Sequence, residues 1–307
     1  MKRLTEVPEE MVGGTLARPQ LVTPAMLRHW PLPEPTGHKY SRGQALVVGG
    51  ARHTPGAAML SGIAALRMGA GRLSLGVAAS VAPHVAVAIP ESGAVGLAED
   101  ETGSITGEDC AQVLGKEVTR TDSLLVGPGL DSPEGTIRLL EELVTELPAN
   151  IPVVLDAFGA TVLPEVSSEV REKLAGRLVL TPNTNELARL LGIDEVADGE
   201  DGQATLKCAK KYQAAVGCNS WVAWDGDLWQ ITTGDTGLGT SGSGDVMAGA
   251  VTGLLSRGAS LAQALVWGKY VHAAAGDALV ARSGRVGYLA SELCPELPKV
   301  LGSLRGD

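Results

Sequence analysis

Short apolar runs, each stopped by glycine, proline or aspartate, alternate with helix-length segments along most of this chain, and that alternation leaves few folds open. Ala45-Leu46-Val47-Val48 runs into Gly49-Gly50. A helical pattern follows over 56–68, with Leu60, Ile63 and Ala64 as its apolar positions, and closes at Gly69 and Gly71. Leu73-Ser74-Leu75-Gly76-Val77 is the next strand. Residues 123–126 before Gly127-Pro128-Gly129, a helix over 133–147, a strand over 152–155 ending at Asp156, a strand over 178–181 and a helix over 186–191 repeat the rhythm. The pattern then predicts a helix over 204–215 and a hairpin in which Asp225-Gly226-Asp227 joins 221–224 to 228–231. Helices over 246–255 and 261–281 complete it. Strand, crossover helix, strand without a break in composition predicts an α/β fold, a single doubly wound, mostly parallel sheet flanked by helices. The junctions at 49–56, 127–131, 156, 182–186 and 239–245 should gather at the carboxyl edge of that sheet, where such folds bind ligands.

Residues 1–37 carry Pro31, Pro33 and Pro35 and read as an N-terminal arm; 38–307 read as one domain. Forty glycines against one phenylalanine suit many tight strand-to-helix junctions. With 35 acidic and 25 basic side chains the net charge is -10, which disfavours nucleic acid and anionic membranes as partners and leaves small anions to local sites. Cys110, Cys208, Cys218 and Cys294 are too scattered for a zinc site or a disulfide framework. No run is apolar enough to span a membrane, and Glu6, Glu9 and Glu10 stand where a signal peptide needs an apolar stretch, so a cytoplasmic protein is expected.

The segment Gly239-Thr240-Ser241-Gly242-Ser243-Gly244-Asp245 concentrates the chemistry. Three glycines let backbone N–H groups turn toward a phosphate, Thr240, Ser241 and Ser243 add hydroxyl donors, and the following helix adds its positive end. Asp245 is either an N-cap or a general base that takes the proton of an attacking hydroxyl. Taken alone, the tetrapeptide 242–245 fits the cap better.

Its context changes the balance. A glycine-rich anion hole followed by Asp at a helix start, in the last third of the chain, resembles the ribokinase-like superfamily. The ordered blocks His38-Lys39-Tyr40-Ser41-Arg42-Gly43, Leu46–Gly50, Ala64–Gly71, Val126-Gly127-Pro128-Gly129-Leu130, Leu155-Asp156-Ala157, Leu180-Thr181-Pro182 with Glu186–Leu191, and Gly244–Gly249 resemble, within it, the NAD(P)H-hydrate dehydratase family over roughly 36–282. The resemblance implies a repair enzyme that uses ADP or ATP and Mg²⁺ to return hydrated NADH or NADPH to the normal dinucleotide, by phosphorylating the ring hydroxyl and then losing phosphate. It implies Asp245 as the base, and Ala57, Gly129, Asn183 and Asp245 in contact with the hydrated nucleotide. It places the phosphate donor at Val216, Gly217, Cys218, Asn219 and Ser220 and at Thr240, Ser241, Gly242, Ser243 and Gly244. It also implies a homo-oligomer, commonly a tetramer.

Four departures stand out. Asn183 replaces the family's usual His after Thr-Pro; the resulting Asn183-Thr184-Asn185-Glu186 resembles the motif with which sugar and vitamin kinases organise Mg²⁺ through water, making Glu186 the candidate organiser, against plain capping by Thr184 or Asn185. Val216-Gly217 stands where the family carries Lys-Gly. Asp235 adds an acid before the anion hole. Phe158-Gly159-Ala160-Thr161 lacks the usual Asp and Asn. These features keep two alternatives in view, a kinase that phosphorylates a small alcohol such as a vitamin precursor and stops, and a non-catalytic relative that binds nucleotide. Trp221, Trp224 and Trp229 are expected to cover one sheet face rather than stack on adenine, His53 to be a solvated loop residue or a phosphate contact, and His272 to be packing or surface.

Overall fold

The computed structural model describes residues 13–34 and 37–305; Glu6, Glu9, Glu10, Pro35 and the rest of the proposed arm outside those limits lie beyond the described residues. In chain order the elements are β1 (Gln20–Leu21), α1 (Pro24–His29), β2 (Gln44–Val48), α2 (Pro55–Arg67), β3 (Arg72–Ala78), α3 (Ala82–Ala88) and β4 (Ser92–Leu97). Then come α4 (Cys110–Leu114), α5 (Lys116–Arg120), β5 (Ser123–Val126), α6 (Pro133–Glu146), β6 (Val153–Leu155), α7 (Ala157–Thr161), α8 (Ser168–Leu174) and β7 (Leu178–Leu180). The last stretch holds α9 (Thr184–Leu191), α10 (Asp201–Tyr212), β8 (Ala214–Cys218), β9 (Trp221–Trp224), β10 (Asp227–Gln230), α11 (Ser243–Ser256), α12 (Leu261–Ser283) and α13 (Ala290–Arg305).

The ten strands form one sheet in the order β1-β10-β9-β8-β7-β6-β5-β2-β3-β4. Only β9 runs against the others, because it pairs antiparallel with both β8 and β10 while every other pairing is parallel. This is the doubly wound, mostly parallel sheet the alternation predicts. The direction of winding reverses where β2 lies beside β5, and a crevice opens at such a switch point because successive connections leave on opposite faces.

Both faces of the sheet are covered, so its strands alternate between two apolar cores rather than between core and water. Ala45, Val47 and Leu75 point into the core shared with α2, α11 and α12, whereas Leu46, Val48 and Leu124 point into the core shared with α6, α8 and α10. The tryptophans obey the same alternation, and this corrects the expectation of one face: Trp224 and Trp229 join the first core, Trp221 packs on the second. Trp229 stacks on Trp30 with ring centroids 6.2 Å apart, and Trp30 and Leu27 from the N-terminal segment are buried there too.

Two helices matter for the site. α2 and α11 lie side by side with the same polarity, because Gly249 and Gly253 leave no side chain between α11 and the backbone of Ser61 and Ala65. Ser61 Oγ donates to the Asp245 carbonyl at 2.9 Å. The amino ends of both helices are thereby held together at the carboxyl edge of the sheet.

Candidate active site

The first half of the edge is built from backbone. Gly50 N–H donates to the Pro128 carbonyl and Ala51 N–H to the Gly129 carbonyl, each at 2.8 Å, and Thr54 Oγ1 donates to the same Gly129 oxygen at 2.8 Å. These bonds lock the loop after β2 to the turn after β5. Gly127, at φ 133, lies in a region that side-chain-bearing residues avoid, and a Cβ there would collide with the Asp156 carbonyl. A Cβ at Gly129 would stand 3.1 Å from that of Ala57, so the two positions assigned to the hydrated nucleotide are neighbours.

The second half is a cleft of about 750 Å³ lined by Thr181, Pro182 and Asn183, by Gly217, Asn219 and Ser220, by residues 230–235, by Gly239, Ser243 and Gly244, and by Lys269 and His272 of α12. Of the donor positions expected from sequence, Gly217, Asn219, Ser220, Ser243 and Gly244 line it. Val216 and Cys218 do not: their side chains are buried in the core on the other side of the sheet. Thr240, Ser241 and Gly242 form the turn into α11 without appearing on the cleft wall.

Gly242, at φ 91, is the N-cap of α11 and offers no side-chain cap, so Asp245 stands within the first turn, past the cap, and the capping role is not its own. Among the described residues its carboxylate has no hydrogen-bond partner, and burial pushes its pKa up to about 6. An acid left unpaired, half-buried, and ionised only above about pH 6 is suited to accept a proton near neutrality. A Cβ at Gly244 would meet nothing within 4 Å, so the first turn is open to the cleft there, at the positive end of the helix.

Asp156 is fully buried and accepts a 2.7 Å bond from Thr181 Oγ1. Burial, joined by the charges of Glu186 and Asp245, outweighs that bond and moves its carboxyl up to about 7. The carboxylates of Glu186 and Asp245 thus both act on Asp156 at the edge. Glu186 is already engaged: its Oε2 accepts the Asn183 N–H at 2.9 Å while Asn183 Oδ1 accepts the Glu186 N–H at 3.0 Å, a reciprocal capping box. The cap of α9 is therefore Asn183 itself, not Thr184 or Asn185. Among the described residues no three His, Cys, Asp or Glu side chains are placed to hold a metal directly. This donor set fits a hydrated Mg²⁺ carried mainly by phosphate oxygens and touched by protein through water.

The remaining departures acquire physical settings. Asp235 forms a 3.0 Å ion pair with Arg285, which holds its carboxyl below the usual range and offsets its charge at the cleft mouth. Phe158 packs on the second core. His53 is exposed in its loop. His272 is neither surface nor packing alone. It lines the cleft and shares a 3.0 Å hydrogen bond with Ser243 Oγ, and burial drives its pKa down to about 4, leaving a neutral ring that orients the hydroxyl. Sequence reasoning also missed Lys269; the signal was a lone lysine three residues before His272 in an otherwise apolar stretch of helix.

Residues 45–299 match the family model described as NAD(P)H-hydrate dehydratase. The chain is 43% identical to the ADP-dependent (S)-NAD(P)H-hydrate dehydratase of Xanthomonas campestris, covering 94% of this chain and 98% of that one. It is 34% identical to a bifunctional NAD(P)H-hydrate repair enzyme of Moorella thermoacetica, of which it spans only 57%. Among solved structures, a Bacillus subtilis ADP/ATP-dependent NAD(P)H-hydrate dehydratase co-crystallised with ATP/Mg²⁺ superposes with a TM-score of 0.74 at 26% identity, covering 93% of this chain and 98% of that one. A ribokinase-like superfamily protein of Enterococcus faecalis gives 0.79 at 20% identity, covering 94% and 97%, which establishes the fold as ribokinase-like.

Proposed function

The chain belongs to the NAD(P)H-hydrate dehydratase family, and from that premise we propose that it returns hydrated NADH and NADPH to the active dinucleotides, with ADP or ATP as phosphoryl donor. The observation that carries this reading is the position of Asp245: an unpaired acid in the first turn of α11, between the donor cleft and the β2–β5 crevice, held against α2 by Ser61.

The hydrated ring would lie against Ala57 and Gly129, with its hydroxyl toward Asp245. Asp245 takes the hydroxyl proton as the oxygen attacks the terminal phosphorus, and the bond from that phosphorus to the rest of the nucleotide breaks. The Gly244 amide, the Ser243 hydroxyl held by His272, and the helix end stabilise the charge on the transferring group. Phosphate then leaves the ring carbon, a ring proton is lost, and the double bond returns. Mg²⁺, when bound, would neutralise phosphate charge, with Glu186 and Asp156 as the residues able to hold its waters.

The kinase alternative leaned on the Asn183 to Glu186 spacing, and those residues cap α9 against each other here, so the spacing no longer argues for a different acceptor. This chain spans 57% of the length of the bifunctional Moorella thermoacetica relative. Among the described residues no helix is long and apolar enough to cross a membrane. We place the enzyme in the cytoplasm, in keeping with four buried free cysteines, and take a homotetramer as its assembly. The test supplies Mg²⁺, ADP or ATP, and chemically hydrated NADH, and follows reduced-nicotinamide absorbance together with nucleotide cleavage. Recovery of absorbance in step with released phosphate is expected. Absence of recovery with either nucleotide overturns the reading.

A further inference from the structure

We infer that Lys269 of α12 is the cation that receives the donor nucleotide's phosphates, delivered into the cleft through a gap left by Gly217; this rests on reading that cleft as the donor site. Lys269 is the one lysine among the described residues lining the cleft, which holds no arginine. The other ionisable groups there are Asp235, paired with Arg285, and His272, held neutral, so an anion entering the cleft meets a single full positive charge.

The lysine is placed at a cost. Its neighbours Trp267, Tyr270 and Val271 are buried, and α12 packs on α11 and the sheet. An ammonium in such surroundings, without a hydrogen bond or ion pair among the described residues, gives up hydration that a bound anion would replace. Burial lowers its pKa to about 8, and the nearby Cys218 and Asp156 offset only part of that. The chain's own groups leave the charge under-compensated.

Gly217 answers to this side chain. It stands in ordinary extended backbone within β8, so its conformation does not call for glycine. Its missing Cβ does: that atom would stand 2.9 Å from Lys269 Cδ and 3.0 Å from Leu265 Cδ1. Any side chain at 217 would displace the lysine stem. Strand and helix are thus fitted so that an amine rooted on α12 crosses β8 and ends in the cavity that Ser243 and Gly244 also line.

The test measures ADP and adenosine binding by titration calorimetry with Mg²⁺ present, in wild type, Lys269→Met, Lys269→Ala and the double variant Gly217→Lys/Lys269→Ala. Lys269→Met keeps the stem and should weaken ADP by about 10–100-fold, the scale of one desolvated charge-assisted contact, while adenosine binding stays within twofold. The double variant returns an ammonium to the same space from the strand side and should bind ADP more tightly than Lys269→Ala. ADP binding within twofold of wild type in Lys269→Met overturns the inference, as does parallel weakening of ADP and adenosine. Repair of hydrated NADH is followed in the same samples. A wild type that binds ADP through Lys269 yet leaves the hydrate untouched would sink the repair reading and leave the role of the lysine standing.

Discussion

The two halves of the carboxyl edge solve different problems with different materials. The β2–β5 crevice is shaped by backbone: Gly127 and Gly129 admit no Cβ, and the loop after β2 is bonded directly to the turn after β5. The donor cleft is shaped by side chains from separate elements, Lys269 and His272 from α12, Asn219 from the β8–β9 turn, and Asp235 with its partner Arg285. In the proposed reaction a rigid wall would suit a ring held in one orientation, and a charged cleft would suit phosphates that differ in number between ADP and ATP. Asp245 lies where the two meet.

The largest effect should come from that meeting point. Asp245→Asn removes the proposed proton acceptor without altering either wall, so turnover should fall by about 10²–10⁴-fold while calorimetric ADP affinity stays within about twofold of wild type. Because burial raises the Asp245 pKa to about 6, wild-type kcat/KM should climb as pH rises through that value and then level off, and the residual activity of the variant should lack this limb. A variant with wild-type turnover would refute the base assignment.

Glycine substitutions test the contrast of materials. Gly127→Ala must adopt a disfavoured φ and push against the Asp156 carbonyl, so thermal or urea unfolding should report a loss of about 2–4 kcal/mol. Gly244→Ala meets nothing within 4 Å, and its stability should stay within about 0.5 kcal/mol of wild type, with the cost appearing instead as weaker ADP binding. Equal stability losses at the two positions would erase the distinction between a packed wall and an open one.

The smallest effect concerns Asp156, at the end of β6 between the halves. Its folded pKa, about 7, lies above the unfolded value of about 3.8, so the folded state binds more protons across that interval and stability falls as pH rises through it. Asp156→Asn keeps an oxygen for the Thr181 hydroxyl and removes the titration. The variant should gain on the order of 1–2 kcal/mol over wild type at pH 8, and the gain should vanish near pH 4. A constant difference across that range would contradict the burial of this carboxyl as its source.

The same contrast explains what was legible in the sequence. The backbone half is written in short contiguous signals, because glycines that end β2 and β5 must sit at fixed offsets from apolar runs. The hairpin and α11 were legible for similar reasons. β4 was not, since Ser92-Gly93-Ala94-Val95-Gly96-Leu97 is too small and glycine-rich to read as a strand. The helix expected over 204–215 ran past its true end because Gln213 closes it at φ 47, a left-handed cap usually made by glycine, and β8 begins at once with two alanines. The donor half was harder still. Its charges come together only through packing, so Arg285 facing Asp235, and Lys269 crossing Gly217, have no signature in local spacing. The Lys-Gly of the resembling family falls at Val216-Gly217 here, and the Val216 side chain points into the opposite core; the cation in the cleft comes from the helix instead.

Oxygen tracing reaches the central claim, transfer of phosphate onto the ring hydroxyl beside Asp245 followed by its departure, most directly. Hydrated NADH prepared in ¹⁸O-labelled water carries the label in that hydroxyl. If the oxygen attacks phosphorus and later leaves with it, mass spectrometry after repair in ordinary water will find one ¹⁸O in each released phosphate. Label recovered in solvent, with phosphate unlabelled, would contradict the account.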